Sequence, residues 1–357
     1  MLPKVSIIWL NYNSWSNIDI VKSSLESCLN LDYPNYEVIV VDNGSTDGSF
    51  ETIKEIAEKK DNCKVIRLEE NLGFCGGNNA GYRARDPDSK YLVLLNNDCI
   101  PTEDSLLELV RFMERRKEDV ASSQGIILNY NENKIDNAGF FISEFISPHG
   151  FLSQEDINLI KKLKKPFYIS YASGCYCVYR ISSLRRIMGD KLFYDEFHSY
   201  FDDIFLGLKF WSEGFKVVCL PKIVGKHFGS MSFRRVKDFQ EYLALRGYGA
   251  LFYLTNTFYN KFLLRNLVYA IKLISGGYKI DPKKARIRIK AIRDGVRMAK
   301  TLRKNGEFIN IKMTPKIKYS IKDFISGILL SSKNSVDEEF RKIGTRWILE
   351  RIDNFYI

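Results

Sequence analysis

The stretch from Tyr91 to Pro101, YLVLLNNDCIP, decides how the rest of the chain is interpreted. It opens with a short apolar run, which predicts a buried β-strand that is too short to span a membrane. The run ends in Asn96, Asn97 and Asp98. Pro101 follows and is predicted to open a helix. Polar side chains at the carboxyl end of a buried strand lie where open α/β sheets bind their ligands.

These residues allow two interpretations of Asp98. A carboxylate beside two amides suits a divalent cation that holds a phosphate. In that case Asp98 would bind the metal, while Asn96 and Asn97 would bind sugar hydroxyls. In the second interpretation the segment is only a polar turn between a strand and a helix, and Asp98 caps that helix. The rest of the chain has to distinguish between the two.

Length and composition place the chain among globular proteins with a large core. Its 357 residues are 45% hydrophobic and 13% aromatic, which is enough for one large α/β domain with a smaller appendage. The seven cysteines are odd in number and mostly lie in apolar surroundings, which indicates reduced thiols in a cytoplasmic protein. The N-terminus predicts no signal peptide, and no apolar run is as long as a membrane-spanning helix requires.

Strands and helices alternate along the N-terminal third of the chain. The predicted strands are 5–10, 36–41, 64–68 and 91–95, and one predicted helix covers 49–60. Alternation at this spacing predicts parallel pairing through right-handed crossovers, and therefore a doubly wound α/β sheet. The polar strand ends at 11–13, 42–47 and 96–98 would then share one edge of the sheet, which predicts a nucleotide site there.

A glycine-rich segment, NLGFCGGNNAGY at 71–82, precedes the strand at 91–95. We predict a loop running into a helix, and its backbone amides could cradle phosphates. The segment lacks the Gly-Lys-Ser/Thr ending of a P-loop, and it lacks the GxGxxG spacing of a dinucleotide site. A dinucleotide site is therefore not expected.

The later part of this α/β region contributes two carboxylates and a histidine. Asp202 and Asp203 are predicted to start a helix, where they could act in catalysis or only complement the helix dipole. The segment 216–220 is predicted to be an edge strand closed by Pro221. His227 follows among glycines and could bind a metal or only a backbone group.

Seven segments, in this order, resemble the family 2 glycosyltransferases of GT-A fold, especially the rhamnosyl- and galactofuranosyltransferase-like branch. They are SIIWLNYN, VIVVDNGSTDGS, NLGFCGGNNAGY, LLNNDCIP, SGCYCVYR, YFDDIFLGLKFWSEGF and a downstream His. The resemblance covers about residues 3–250, and each segment alone would be a weak signal. It implies a Rossmann-like, mostly parallel sheet flanked by helices. Residues 1–240 would form this catalytic domain, and 241–357 a basic α-helical C-terminal region.

The resemblance implies a metal site. Asp98 matches the metal-binding end of a DxD-type motif, which here reads Asn96-Asn97-Asp98. His227 matches the histidine that completes the site in some family members. A carboxylate and a neutral imidazole suit Mg²⁺ or Mn²⁺.

The resemblance also implies a nucleotide site and a catalytic pair. Asp42 matches the carboxylate that binds the base, with Asn11 nearby and Asn71 close to the nucleoside. Asp203 matches the general base that takes the proton of the acceptor hydroxyl. Asp202 would orient that base or bind the acceptor.

The predicted function is that of an inverting, metal-dependent glycosyltransferase. It would move a sugar from a UDP- or dTDP-sugar to a hydroxyl of a growing, lipid-linked glycan in cell-envelope polysaccharide or glycoprotein glycan synthesis. One alternative is a non-catalytic scaffold that binds nucleotide or membrane. It is motivated by Asn96 in the metal motif and by Phe205, where the family often has a further Asp. A nucleotidyltransferase is another alternative, but this sequence lacks the N-terminal glycine-rich, basic signature expected of that class.

Charge sets the C-terminal region apart. Residues 231–357 carry 27 Lys and Arg against 11 Asp and Glu, whereas residues 1–230 carry 27 against 32. Helices predicted at 251–274 and 283–304 would lie on the inner face of the cell membrane, which makes the protein cytoplasmic and peripheral. Packing on the catalytic domain and contact between two copies in a homodimer are the alternatives. No nucleic-acid partner is expected, because the basic run lacks an RNA-binding aromatic motif.

Overall fold

The computed structural model describes residues 2–131, 133–229, 237–255, 282–320, 322–323 and 336–357, which fold into alternating strands and helices. The strands are β1 Val5–Asn11, β2 Tyr36–Asp42, β3 Cys63–Arg67, β4 Tyr91–Asn96, β5 Cys99–Pro101, β6 Val120–Asn129, β7 Ile135–Asn137, β8 Phe140–Ser143, β9 Pro148–Gly150, β10 Phe167–Tyr168, β11 Tyr176–Arg180, β12 Lys216–His227 and β13 Lys316–Ile317. The helices are α1 Ile18–Leu29, α2 Ser49–Ala57, α3 Gly73–Ala84, α4 Ser105–Glu114, α5 Ile181–Met188, α6 Asp202–Ser212, α7 Lys237–Leu254, α8 Pro282–Lys304 and α9 Val336–Leu349.

Ten of the described strands form one sheet. Its order is β10-β12-β6-β11-β4-β1-β2-β3, with β5 paired to β12 and β7 paired to β6. Strand β1 is parallel to β2 and β4, and β2 is parallel to β3, whereas β11 runs antiparallel to both of its neighbours. The predicted mostly parallel α/β sheet is therefore confirmed. A second, smaller sheet has the order β13-β8-β9.

Strand β4 lies inside the sheet and is buried on both faces. Leu92 and Leu94 join the apolar core on one face, while Tyr91, Val93 and Leu95 join the core on the other. Successive side chains of a strand point to opposite faces, so a strand covered on both sides reads as an unbroken apolar run. This burial explains the apolar run at the start of the stretch from Tyr91 to Pro101, and it places the polar end of that stretch at the edge of the sheet.

The helix predicted to start at Pro101 begins later. Cys99–Pro101 forms strand β5, which pairs antiparallel with Gly225–His227 of β12. A Cβ atom at Gly225 would lie 2.7 Å from the carbonyl oxygen of Ile100, so this close pairing depends on glycine. Helix α4 starts at Ser105, with Asp104 in the N-cap position. The prediction for Pro101 was wrong, and Asp98 does not cap this helix.

The glycine-rich segment is a helix and not the predicted loop. Helix α3 packs against β1 through its glycines. A Cβ atom at Gly77 would lie 2.5 Å from Leu10 Cδ1, and one at Gly81 would lie 2.7 Å from Ile8 Cγ2. The glycines therefore allow a helix to lie close against the sheet, which outweighs their low intrinsic helix propensity. The prediction of a phosphate-cradling loop was wrong.

Strand β12 is longer and more central than predicted. It continues through Pro221 as far as His227 and lies between β10 and β6, so it is not an edge strand. Pro221 falls in the register shift between Cys219 and Ile223, where the pairing with β6 is interrupted. A proline is tolerated at such a position because no ladder hydrogen bond needs its missing N–H. The extension carries His227 to the polar edge of the sheet.

The C-terminal helices share the core of the α/β region. Leu251 and Leu254 of α7 and Leu302 of α8 belong to the same buried cluster as Phe205 and Phe210 of α6. The apolar sides of α7 and α8 therefore pack on the sheet region. The helix predicted for 251–274 lies, beyond residue 255, outside the described residues. None of the helices in the described part of the chain has the length and apolar character needed to cross a bilayer.

Candidate active site

Asn11, at the end of β1, joins the ends of three neighbouring strands. Its Nδ2 donates to Asp42 Oδ1 at 2.9 Å, and its Oδ1 accepts a hydrogen bond from Asn97 Nδ2 at 3.0 Å. Asp42 Oδ2 also accepts from the Ser45 amide at 3.0 Å. Asn11 and Asp42 are fully buried. The polar strand ends therefore converge as predicted. Asn11 and Asp42 lie beneath the surface of this edge of the sheet.

Asn71 lies beside the end of β2 on the exposed side of this edge. Its Oδ1 accepts hydrogen bonds from Asn43 Nδ2 at 2.9 Å and from the Gly73 amide at 2.8 Å. Asn43 follows Asp42 directly, so the structure brings Asn71 next to the residue predicted to bind the base. The sequence interpretation missed Asn43, because its role depends on a contact with a distant segment.

His227 lies between two carboxylates. Its Nε2 is 3.2 Å from Asp98 Oδ1, and its Nδ1 is 3.2 Å from Asp136 Oδ2. Burial lowers the pKa of His227, but the two carboxylates outweigh it and hold the pKa well above the usual value. The pairing of β5 with β12 creates this contact, since it places His227 opposite Cys99. The predicted pair of Asp98 and His227 is brought together, and Asp136 is a residue the sequence interpretation missed.

The donor atoms of this pair fit a divalent cation. Asp98 is 5% exposed and offers carboxylate oxygens, and His227 offers one imidazole nitrogen. Among the residues that the structure describes, no three His, Cys, Asp or Glu side chains surround a single ion position. The described side chains alone would fill only part of an octahedral shell. Such a shell leaves room for the oxygens of a bound diphosphate, as Mg²⁺ sites commonly do.

Helix α6 begins with the two predicted catalytic carboxyl groups. Asp203 Oδ2 accepts a hydrogen bond from the Gly174 amide at 3.4 Å, and Oδ1 accepts one from the Ile204 amide at 2.8 Å. Burial and the negative charge of Asp202 raise the pKa of Asp203 to about 7, and burial also raises the pKa of Asp202. A carboxyl group that ionises near neutral pH has the basicity required of a general base.

One backbone contact and one electrostatic effect connect this acid pair with the Asn96–Asp98 segment. Gly174, which binds Asp203, is followed by Cys175, whose carbonyl oxygen accepts from the Asn96 amide at 2.8 Å. Burial and the negative charges of Asp202 and Asp98 together raise the pKa of Tyr200 to about 12, so both carboxylates act on this one phenol. The acid pair and Asp98 therefore belong to one site.

A strained turn precedes the acid pair. His198 and Tyr200 have φ angles of 60° and 64°, which are uncommon for residues with a side chain. The His198 carbonyl accepts from the Cys75 amide at 3.0 Å, and Ser199 Oγ accepts from the Phe74 amide at 3.1 Å. The turn thus binds the first amides of α3. Those amides are not free to cradle phosphates, and the turn itself is held against α3.

Comparison with known proteins identifies a family. Residues 6–188, about half of the chain, match the family described as glycosyl transferase family 2. An uncharacterized glycosyltransferase of Haemophilus influenzae is 28% identical over 221 residues, which cover 61% of this chain and 62% of that protein. The chain spans only 43% of a second H. influenzae glycosyltransferase, to which it is 33% identical over 112 residues.

Solved structures share the fold. Staphylococcus aureus TarS 1–349 in complex with UDP-GlcNAc has a TM-score of 0.53 at 17% identity, covering 96% of this chain and 90% of that one. The mannosyltransferase PcManGT of Pyrobaculum calidifontis in complex with GDP-Man and Mn²⁺ has a TM-score of 0.52 at 16% identity, covering 99% and 87%. The predicted GT-A fold is confirmed, whereas the rhamnosyltransferase-like branch stays a prediction. On the family match, this chain belongs to glycosyl transferase family 2.

Proposed function

We propose that the protein transfers a sugar from a nucleotide-sugar donor to a glycan hydroxyl with inversion at the anomeric carbon. The observation that carries this proposal is the Asp202–Asp203 pair, whose second carboxyl ionises near neutral pH beside the Asn96–Asp98 segment. Asp203 takes the proton of the acceptor hydroxyl while that oxygen bonds to the anomeric carbon and the nucleoside diphosphate leaves with the bonding electrons. Asp202 keeps the pKa of Asp203 high enough for this role.

The polar strand ends would bind the donor. Asp42, whose buried carboxylate is held by Asn11, is proposed to support the base site from beneath, and Asn71 is proposed to lie near the nucleoside. Asn96 and Asn97 would contact hydroxyls of the donor sugar. The solved relatives contain UDP-GlcNAc and GDP-Man, which supports a nucleotide sugar, and we propose UDP or dTDP as the nucleotide.

Asp98 and His227 are the residues that would hold Mg²⁺ or Mn²⁺, which neutralises the diphosphate charge when it is bound. The Mn²⁺ in the mannosyltransferase structure supports this assignment. His227 presents its Nε2 toward Asp98, so both donors reach the same point.

The donor site can be tested by thermal unfolding of the wild type and Asp98→Ala with UDP, dTDP or GDP, each with and without Mn²⁺. We expect one nucleotide to raise the melting temperature and Mn²⁺ to add to the increase. The Mn²⁺-dependent part should be lost in Asp98→Ala, because only His227 would remain as a ligand. Asp119→Ala is the matched control, since it removes an exposed carboxylate before β6. A folded wild type that none of the nucleotides stabilises would contradict the proposal.

Helix α8 carries an exposed basic face, which we propose binds an anionic membrane surface and so brings a lipid-linked acceptor to the site. Six of its exposed cations are spaced three or four residues apart and therefore share one side of the helix: Arg286, Lys290, Arg293, Arg297, Lys300 and Lys304. Ile289 lies on the same side and is 67% exposed. This surface favours a peripheral position at the cytoplasmic face of the membrane over contact between two copies.

Vesicle sedimentation tests the membrane proposal. We expect binding to phosphatidylcholine vesicles that contain phosphatidylglycerol, and weak binding to phosphatidylcholine alone. The double variant Arg286→Glu, Lys304→Glu should weaken this binding by roughly tenfold or more, because it reverses two charges on the face. Lys117→Glu, Lys165→Glu is the control, with the same change at exposed positions elsewhere. Equal binding by both double variants would contradict the proposal, as would a preference for RNA over vesicles.

A further inference from the structure

A buried series of polar side chains leads away from His227. Asp136 Oδ2 lies 3.2 Å from His227 Nδ1 and accepts a hydrogen bond from Asn137 Nδ2 at 2.9 Å. Gln124 Nε2 in turn donates to Asn137 Oδ1 at 2.9 Å. Gln124 and Asn137 are 0% and 1% exposed. Their polar groups therefore depend on each other and not on water, which fixes the arrangement closely.

The same series reaches the segment that contacts the proposed base. Gln124 Oε1 accepts from the Ser173 amide at 2.7 Å, and the next amide, that of Gly174, donates to Asp203 at 3.4 Å. Strand β6 carries Gln124, and β7, which pairs with β6, carries Asn137. Asp136 is thus held by paired strands of the sheet and not by a free loop.

The chemistry of imidazole gives this arrangement a consequence. A ring nitrogen can bind a metal ion only when it carries no proton, so the proton of the neutral ring must lie on the other nitrogen. An ionised carboxylate can only accept a hydrogen bond. Asp98 and Asp136 each favour a proton on the ring nitrogen that they face. A cation bound at Asp98 would replace the proton on Nε2, and Asp136 would then hold the remaining proton on Nδ1.

We propose that Asp136 is a positioning residue for the metal site: it fixes the ring orientation and the tautomer of His227, while Asn137 and Gln124 hold Asp136 in place. Asp136 faces the opposite ring nitrogen from Asp98, so it acts through His227 and not as a third ligand. This inference rests on the proposed metal-dependent function, because it concerns the same ion position.

Electron paramagnetic resonance of Mn²⁺ tests the inference without measuring turnover. The dissociation constant of Mn²⁺ is measured alone and with UDP, dTDP or GDP for the wild type, Asp136→Ala, Asp136→Asn and the control Asp119→Ala. We expect Asp136→Ala to weaken Mn²⁺ binding by about 10- to 100-fold. Asp136→Asn should lose less, because its amide oxygen can still accept from Nδ1. Nucleotide binding without metal should be the same in all four proteins.

The outcomes separate the inference from the proposed function. A purely structural role for Asp136 would lower the melting temperature but leave the Mn²⁺ affinity of the folded protein unchanged, and that result would overturn the inference alone. A wild type that binds no Mn²⁺ with any of the three nucleotides would overturn the metal-dependent function together with it. A graded loss from the wild type through Asp136→Asn to Asp136→Ala would support both.

Discussion

Asp203→Asn is expected to lower kcat by about 10²- to 10⁴-fold, the range that general-base catalysis commonly contributes. The substitution keeps the shape of the side chain and a hydrogen-bond acceptor for the Gly174 amide, but it removes the carboxylate that is proposed to accept the proton. Donor binding should be unaffected, because Asp203 is proposed to contact the acceptor hydroxyl and not the nucleotide. The measurement is the initial rate of sugar transfer, combined with calorimetry of the nucleotide.

The fold should survive this substitution. Burial and the charge of Asp202 disfavour the ionised form of Asp203, so ionisation makes the folded state less stable as the pH rises through about 7. An uncharged Asn therefore should not lower the melting temperature at pH 8. Asp19→Asn is the matched control, since it makes the same change in the first turn of α1 at an exposed position. Equal rates for the two variants would contradict the assignment of Asp203 as the base.

The pH dependence of the reaction is a second measurement of the same assignment. Below pH 7 Asp203 is mostly protonated and cannot accept a proton, so kcat/KM should rise about tenfold per pH unit and level off above about 7. Asp202→Asn removes a negative charge that raises the pKa of Asp203. The rise should therefore move to lower pH in that variant. An inflection that stays in place would show that another group controls the rate.

The central sheet could be predicted from the sequence because its signals are local. A strand buried on both faces reads as an apolar run, and the polar groups that follow each run must lie at its carboxyl end. Parallel pairing through helical crossovers then places those ends side by side. This explains why Asn11, Asp42 and Asn97, which are far apart in the chain, were expected together and are joined by hydrogen bonds.

The features that could not be predicted depend on contacts between distant segments. The pairing of Cys99–Pro101 with Gly225–His227 turned an expected helix start into a strand. The glycines of α3 are typical of a loop in the sequence. Only the structure shows that side chains of β1 occupy the space that Cβ atoms at these positions would need. Asp136 stands in a segment with no distinctive pattern, and only the extension of β12 brings His227 to it. A single sequence contains no local signal for such pairings.

The C-terminal region is joined to the proposed catalytic helix by a buried ion pair, so we expect Glu307→Ala to lower the free energy of unfolding by about 3–5 kcal/mol. Lys209 of α6 forms a salt bridge with Glu307, which follows α8, and Tyr194 also donates a hydrogen bond to Glu307. Lys209 and Glu307 are 8% and 9% exposed. Loss of Glu307 would leave the ammonium group of Lys209 buried without a partner, and that desolvated charge is the source of the loss.

The matched control is Glu55→Ala, which breaks the exposed pair between Glu55 of α2 and Lys59 just after that helix and should cost less than about 1 kcal/mol. Urea unfolding at constant pH measures both variants. The double replacement Lys209→Met, Glu307→Leu should recover most of the stability, because it removes the unpaired charge while keeping apolar volume. If the double replacement is as unstable as Glu307→Ala, the loss comes from packing and not from a buried charge. If it recovers stability but lowers the rate of transfer, the ion pair serves to position α6, and with it Asp203, against the sheet.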